Sequence, residues 1–191
     1  VTGVQTCALP ISAVTAITDN VGIVQGTVAS GTTTDDTSLA VSGTLTAGLA
    51  AGETVRIYDG STYLGTATVS GTTWTFADTR TLTDGQPVSY TAQVSDAAGN
   101  QSAAGTAYTA TVDLAAPGTT AAVTAITDDI GIVQGTVASG TTTDDTNLTV
   151  SGTLTAGLAA GETVRIYDGS AYLGTATVSG TTWTFADTRT L

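Results

Sequence analysis

Apolar residues alternate with threonine, serine or glutamine along most of the chain. Leu39-Val41-Gly43-Leu45, Val55-Ile57, residues 64–69, Trp74-Phe76, Tyr90-Ala92-Val94 and Tyr108-Ala110-Val112 all follow a period of two. That period puts every second side chain on one face, as half-buried antiparallel strands require. Turn signals separate the runs: residues 47–52, Asp59-Gly60, Ser70-Gly71, Asp84-Gly85 and residues 97–100. Threonine and valine add β-branched propensity, and no segment carries a helical stripe. With a lead-in strand at residues 14–18, the pattern predicts about seven strands in roughly 100 residues. Trp74 and Phe76 share one strand face, so Trp74 is expected in the core. Tyr58, Tyr63, Tyr90 and Tyr108 are expected to pack likewise, with hydroxyls at the rim.

The same pattern then recurs. A shift of 109 residues lays residues 13–82 onto 122–191 with five differences: Asn20/Asp129, Val21/Ile130, Ser38/Asn147, Ala40/Thr149 and Thr62/Ala171. A period this long matches a self-sufficient domain in a tandem array, whereas solenoid units are much shorter. The expected fold class is therefore all-β: tandem immunoglobulin-like β-sandwich domains without the disulfide, the second truncated. The expected divisions are a leader at 1–11, a complete domain at 12–113, a linker at 114–120 containing Pro117 and Gly118, and an incomplete domain at 121–191. The second copy lacks counterparts of residues 87–112, the last two strands, and is expected to have an open core and an aggregation-prone edge.

Composition narrows the chemistry. Beyond Cys7 in the leader there is no cysteine, and the chain has no histidine, lysine or methionine. Disulfide scaffolds, thiol–zinc sites, cysteine or histidine nucleophiles and lysine Schiff bases are thereby excluded, and no enzyme is expected. Paired carboxylates could in principle hydrolyse glycosides, but nothing in the sequence sets two of them across a cleft. Sixteen acids against four arginines give a net charge of −12, which disfavours nucleic acid and anionic membrane surfaces as partners. No apolar run is long enough to span a membrane.

Fourteen of the acids are aspartates, which suit turns and short-armed oxygen coordination of hard cations. Strands of a sandwich alternate between two poles. Residues 19–37, read as the loop after the first strand, fall at the carboxy pole, where the last strand exits at Asp113. The turns at 47–53 and 96–100 fall at the amino pole. Asp19, Asp35, Asp36 and Asp113 are thus expected to converge beside the linker. Like charges a few ångströms apart repel by about 4 kcal/mol per pair at an effective dielectric near 20, which favours a cation among them. Ca²⁺ is the expected structural cofactor, since it accepts six to eight oxygens with forgiving geometry; solvated loop carboxylates are the alternative. The counterpart of Asp96 in a following domain could complete the shell and lock the angle between modules. Neither the spacing of an EF-hand nor a glycine-rich nonapeptide is present.

Two segments carry resemblances. Val1 to Ile11, VTGVQTCALPI, is similar to the conceptual translation of a common short-read sequencing adapter. Similarity between the copies fades at the same place, and the segment is set aside as an assembly artefact. Elsewhere Thr18-Asp19-Asn20-Val21-Gly22, Thr34-Asp35-Asp36-Thr37, Val41-Ser42-Gly43-Thr44, Val94-Ser95-Asp96-Ala97-Ala98-Gly99-Asn100 and Val112-Asp113-Leu114-Ala115-Ala116-Pro117 resemble the signature segments of bacterial Ig-like repeats. These build the stalks of giant biofilm-associated adhesins exported by type I secretion. The resemblance implies calcium at domain junctions, with ligands among Asp19, Asp35, Asp36 and Asp113, and Asp128, Asp144 and Asp145 in the second copy. Two departures stand out. Asp19-Asn20 replaces the Asp-Asp of many relatives, and the proline that often follows the second acidic pair is missing.

The expected function is a structural spacer of a secreted or cell-surface bacterial adhesin, stiffened by calcium and adding about 35–40 Å per domain. Its partners would be neighbouring repeats of the same chain, and a cell-surface or glycan target would be engaged by a distal domain outside this sequence. The alternative is a carbohydrate- or surface-binding module, suggested by threonine-rich strands such as Thr72-Thr73-Trp74-Thr75, although threonine is also an ordinary outward strand residue.

Overall fold

A computed structural model describes residues 9–189 of the chain, which divides into two compact units, Val1–Ala115 and Ala116–Leu191. Every regular element among the described residues is a strand. In the first unit β1 (Ser12–Asp19) runs from the amino to the carboxy pole, and β2 (Gly26–Val28) folds back along it. Next, β3 (Thr32–Thr34) crosses to the opposite sheet. It is followed by β4 (Ala40–Leu45), β5 (Thr54–Asp59), β6 (Thr62–Thr66), β7 (Thr68–Ser70), β8 (Thr73–Ala77), β9 (Pro87–Ser95) and β10 (Tyr108–Val112).

One sheet has the order β2-β1-β4-β8-β7 and the other β3-β10-β9-β5-β6. All pairings are antiparallel except β3 with β10. This is an immunoglobulin-like β-sandwich, in which the segment after β1 contributes β2 to one sheet and β3 to the other. The inward residues foreseen from the period of two fill its interior. Ile17, Leu39, Val41, Val55, Ile57, Val88, Ala92, Val94 and Val112 are all buried, and Trp74 is 1 % exposed. Gly43 belongs to this packing: a Cβ there would collide with the Trp74 ring and the Ala13 carbonyl. The indole therefore lies across β4 only because position 43 is empty.

Three sequence expectations are corrected. First, ten strands replace the seven, and residues 19–37 are not simply a polar loop. β2 and β3 lie within them because free edges of both sheets accept their backbone groups, although their threonine-rich sequence carries little alternation. Second, the run at 64–69 breaks at Ala67, where the chain leaves β6 in one sheet and enters β7 in the other. Ala67 is buried, and its N–H donates to the Val55 carbonyl at 2.9 Å. A small side chain suits this corner between layers. Third, Tyr58 and Tyr63 do not join the core. Val55 and Ile57 point inward, so Arg56 and Tyr58 must point outward. There the two tyrosine rings meet at 5.5 Å, and the Arg56 guanidinium covers Tyr63 at 4.1 Å.

The second unit contains β11 (Ala121–Asp128), β12 (Gly135–Thr136), β13 (Thr149–Leu154), β14 (Arg165–Asp168), β15 (Ala171–Thr175), β16 (Thr177–Ser179) and β17 (Thr182–Ala186). Its first sheet, β12-β11-β13-β17-β16, repeats that of the first unit, whereas among the described residues its second consists of β14 and β15. Val14 is 8 % exposed, but its counterpart Val123 is 61 % exposed. Of the segment read as a leader, Pro10 is buried, and Ile11 and Thr46 exchange hydrogen bonds of 3.0 Å. Backbone pairing is indifferent to the side chains of residue 11, and Thr120 and Thr155 make the same exchange in the second unit. Cys7 and the rest of residues 1–8 lie outside the described residues.

Candidate functional site

The carboxy pole of the first unit is built where β1, β3 and β10 end. The Asp113 N–H donates to the Thr34 carbonyl at 2.9 Å, which brings the end of β10 beside the end of β3. The Thr34 hydroxyl donates to Asp19 Oδ2 at 2.6 Å, and the Val21 N–H donates to Asp19 Oδ1 at 2.9 Å. Asp19 is thereby buried and oriented by two donors. Asp35 follows β3 and hangs over Gly22, which has φ +66° and no room for a Cβ beneath the carboxylate. A left-handed glycine at this position lets the loop pass under Asp35.

The four aspartates expected here do not act as one set. Asp19, Asp35 and Asp113 line a single open recess with Gly22, Ile23, Val24, Thr33, Thr34 and Ala115. Asp36 lies outside that lining and is fully buried. Its Oδ1 accepts the Ser38 N–H at 2.7 Å and its Oδ2 accepts the Asn20 N–H at 3.2 Å, so it ties the two loop arms together. Asp113 Oδ1 accepts the Ala115 N–H at 3.1 Å, a local turn at the start of the linker. Asp96 lies at the amino pole, where its carboxylate accepts the N–H groups of Ala98 and Asn100 and the Asn100 amide. These bonds hold it below the ordinary carboxylate range, the Asn100 side chain contributing most.

Asp19 and Asp35 interact as like charges. Partial desolvation first, and then the Asp19 carboxylate, push the Asp35 carboxyl above its ordinary value. No positively charged residue is among those lining the recess. The donor chemistry, all-oxygen with carboxylate lone pairs still free, fits a hard cation such as Ca²⁺. Even so, no group of three or more His, Cys, Asp or Glu side chains among the described residues converges closely enough to hold a metal by itself. Backbone carbonyls or water would have to complete a shell begun by Asp19 and Asp35, and Asp36 would act only by positioning the loop.

The second unit repeats the arrangement. Thr143 donates to Asp128, Asp145 accepts the Asp129 and Asn147 N–H groups, and Asp144 hangs over Gly131 as Asp35 does over Gly22. Position 129, where Asp replaces Asn20, enters this geometry through its backbone N–H.

Sequence reading missed two features. Asp84 also reaches this end of the first unit, its Oδ1 accepting the Leu114 N–H at 2.7 Å. Its only signal was an Asp-Gly turn. More substantial is an ionic network of Asp59, Asp78, Arg80 and Tyr90. The Arg80 guanidinium donates to Asp78 through Nε and Nη2, the latter at 2.6 Å, and through Nη1 to Asp59 at 2.9 Å. Tyr90, fully buried, donates its hydroxyl to Asp78 Oδ2 at 2.6 Å. Burial alone would raise the Asp78 carboxyl, but the Arg80 and Tyr90 hydrogen bonds outweigh it and hold Asp78 below the ordinary range. Burial and the Asp78 charge together keep the Tyr90 phenol protonated far above its ordinary value. Scarcity is the signal that could have found it: of four arginines in the chain, Arg80 and Arg189 occupy matching positions next to Asp-Thr.

The chain matches no protein-family model, no curated protein and no solved structure.

Proposed function

We propose that this chain is a stretch of the stalk of a large secreted or cell-surface bacterial adhesin, each sandwich acting as a spacer and calcium stiffening the junctions between domains. The observation that carries this reading is the Asp19–Asp35 carboxylate pair at the pole from which the first unit continues into residues 114–120, a pair repeated as Asp128 and Asp144. Such a repulsive pair is maintained at a cost unless a cation occupies it. The near identity of the two copies agrees with a role in which length matters more than a specific surface. Bound calcium would supply charge neutralisation and crosslinking of loop oxygens. The protein's own part is to hold Asp19 by Thr34 and Val21, to hold the loop by Asp36, and to leave space over Gly22.

The resemblance to bacterial Ig-like repeats supports the biofilm and type I secretion setting. Calcium-poor cytosol would leave the chain pliable for export, and external calcium would stiffen it. Small-angle scattering of the whole chain tests the reading. With millimolar calcium the distance distribution should narrow, and chelator should broaden it. Superimposable curves would sink the proposal.

A carbohydrate-binding role has one observation in its favour: the outward tyrosine pair Tyr58–Tyr63, repeated as Tyr167–Tyr172. The rings are tilted by 56° and Arg56 covers one face of Tyr63, so they offer no flat stacking platform. Glycan-array signal from the whole chain would reverse that judgement.

A further inference from the structure

Apart from Ile11, Leu114 and Val123, the large apolar side chains exposed among the described residues gather at two places in each unit. In the first unit one place is the loop that leaves β1 at the carboxy pole, where Val21, Ile23 and Val24 are 45, 66 and 76 % exposed. The Gln25 amide donates to the Gly22 carbonyl at 3.1 Å and closes the loop on itself. Ile23 and Val24 share their recess with the exposed carboxylates of Asp35 and Asp113. The loop thus offers aliphatic and negative groups side by side. Adjacent exposed aliphatic residues in a chain that buries most others mark a surface that contacts something.

The other place is the outward patch of β5 and β6, where Tyr63 is 44 % exposed beside Tyr58 and beneath Arg56. Both rings are held in advance: the Tyr58 hydroxyl accepts the Gln101 amide at 2.8 Å, and the Tyr63 hydroxyl shares a 3.0 Å hydrogen bond with Thr66. Across the sheet Arg56 faces Gln93 and Thr66, neither of them an acid. The chain has sixteen acids for four arginines, and Arg80 takes two of them, Asp59 and Asp78. Arg56 forms no salt bridge among the described residues, and its Nε is buried without an acceptor. The patch thus offers aromatic faces and an uncompensated positive charge. The second unit carries the same two features: Ile130, Ile132 and Val133 are exposed, and Arg165 covers Tyr172 at 4.3 Å beside Tyr167. Of the five differences between the copies only Val21/Ile130 falls on these apolar and aromatic positions, and it stays aliphatic.

We infer that the loop at residues 20–25 of one molecule docks on the Arg56–Tyr58–Tyr63 patch of a second molecule of this chain. The two surfaces are complementary in both respects, aliphatic against aromatic and carboxylate against guanidinium. Ile23 and Val24 lose water against the tyrosine rings, and Arg56 pairs with Asp35 or Asp113, a cation entering a recess that has none of its own. Tyrosine and arginine are the residues that most often carry such contacts. A unit cannot close this contact on itself, because β10 and β9 stand between β3, the next strand of that sheet after the loop, and β5. One loop on one hairpin is a small and therefore weak contact, and repeats in tandem multiply it, since the first contact raises the effective concentration for the next. Association between chains goes beyond the spacer role and does not rest on calcium.

Sedimentation equilibrium of the whole chain in chelator tests this. At about 0.15 M salt, charges more than about 8 Å apart are screened, so the net charge of −12 does not keep molecules apart. The weight-average mass should rise with concentration, with a dissociation constant on the order of 0.1 mM. A loop variant carries Ile23→Ser and Val24→Ser with Ile132→Ser and Val133→Ser, and a patch variant carries Arg56→Glu with Arg165→Glu. Each alone should associate at least about tenfold more weakly. An equal mixture should recover association, because the loop variant keeps its patch and the patch variant keeps its loop. Tryptophan-fluorescence melts of both should superimpose on that of the parent; should the glutamates lower the melt, Arg56→Gln with Arg165→Gln replaces them, with the same loss and recovery expected. A parent that stays monomeric, association that survives either variant, or a mixture that stays monomeric overturns the inference. Because calcium is absent from every sample, this result is read separately from calcium stiffening.

Discussion

Aspartates that look alike in the sequence have opposite energetic roles. Asp36 is a buried clasp for two backbone N–H groups, so Asp36→Ala should destabilise the first unit by about 2 kcal/mol or more, seen as a lower denaturant midpoint. Asp35 is one half of a repelling pair. Asp35→Asn should leave stability in chelator within about 0.5 kcal/mol of the parent, or slightly raise it, and abolish any stabilisation by calcium. Equal losses from both substitutions would contradict this division.

Asp78 makes a pH prediction. Its folded carboxyl titrates below its unfolded value, so its contribution is present above about pH 4 and disappears as pH falls through the folded value. Asp78→Asn should therefore cost about 1.5–3 kcal/mol at neutral pH, with the gap to the parent closing in acid. Asp35 has the opposite sign: its raised carboxyl means that mild acid relieves strain in the calcium-free fold. Which of these acids were paired, clasped or repelling could not be read from their spacing, because each role depends on a partner that only folding brings alongside: Asn20 for Asp36, Tyr90 for Asp78 and Asp19 for Asp35.

Alternation made most strands legible, and the exceptions share a cause. Strands β2 and β3 are three residues each and form by completing a neighbour's edge, which leaves little trace in hydrophobic pattern. The corner at Ala67 interrupts a run that still alternates, since both halves face the same interior from different sheets. Gly43 illustrates the converse, a strand residue whose absence of side chain is required by a ring on the next strand. Gly43→Ala should destabilise the first unit by at least about 1–3 kcal/mol, and Gly152→Ala should act on the second through Trp183. Thermal melts followed by tryptophan fluorescence would check both. A fully tolerated alanine at position 43 would show that the packing of Trp74 is looser than described.

Across the whole molecule, the two units share sequence but not completeness of their sheets. The first buries its core between two five-stranded sheets, and the second sets a five-stranded sheet against two strands. Variants retaining only Trp74 or only Trp183 should thus report separate transitions, the Trp183 signal melting at the lower temperature. Coincident transitions would mean that the second unit draws stability from a source not seen in its own strands.

Period-two patterning, turn residues and the 109-residue repeat were enough to establish an all-β tandem sandwich and the inward residues of its main strands. These are local properties: alternation follows from the backbone pleat, and each turn from a few adjacent residues. Tertiary structure alone decided that Asp19 and Asp35 face one recess while Asp36 is a clasp, that Tyr58 and Tyr63 turn outward together, and that Arg80 gathers Asp59, Asp78 and Tyr90. Those contacts join residues brought together only when the sheets stack, and their energies come from burial and donor geometry that no single segment encodes.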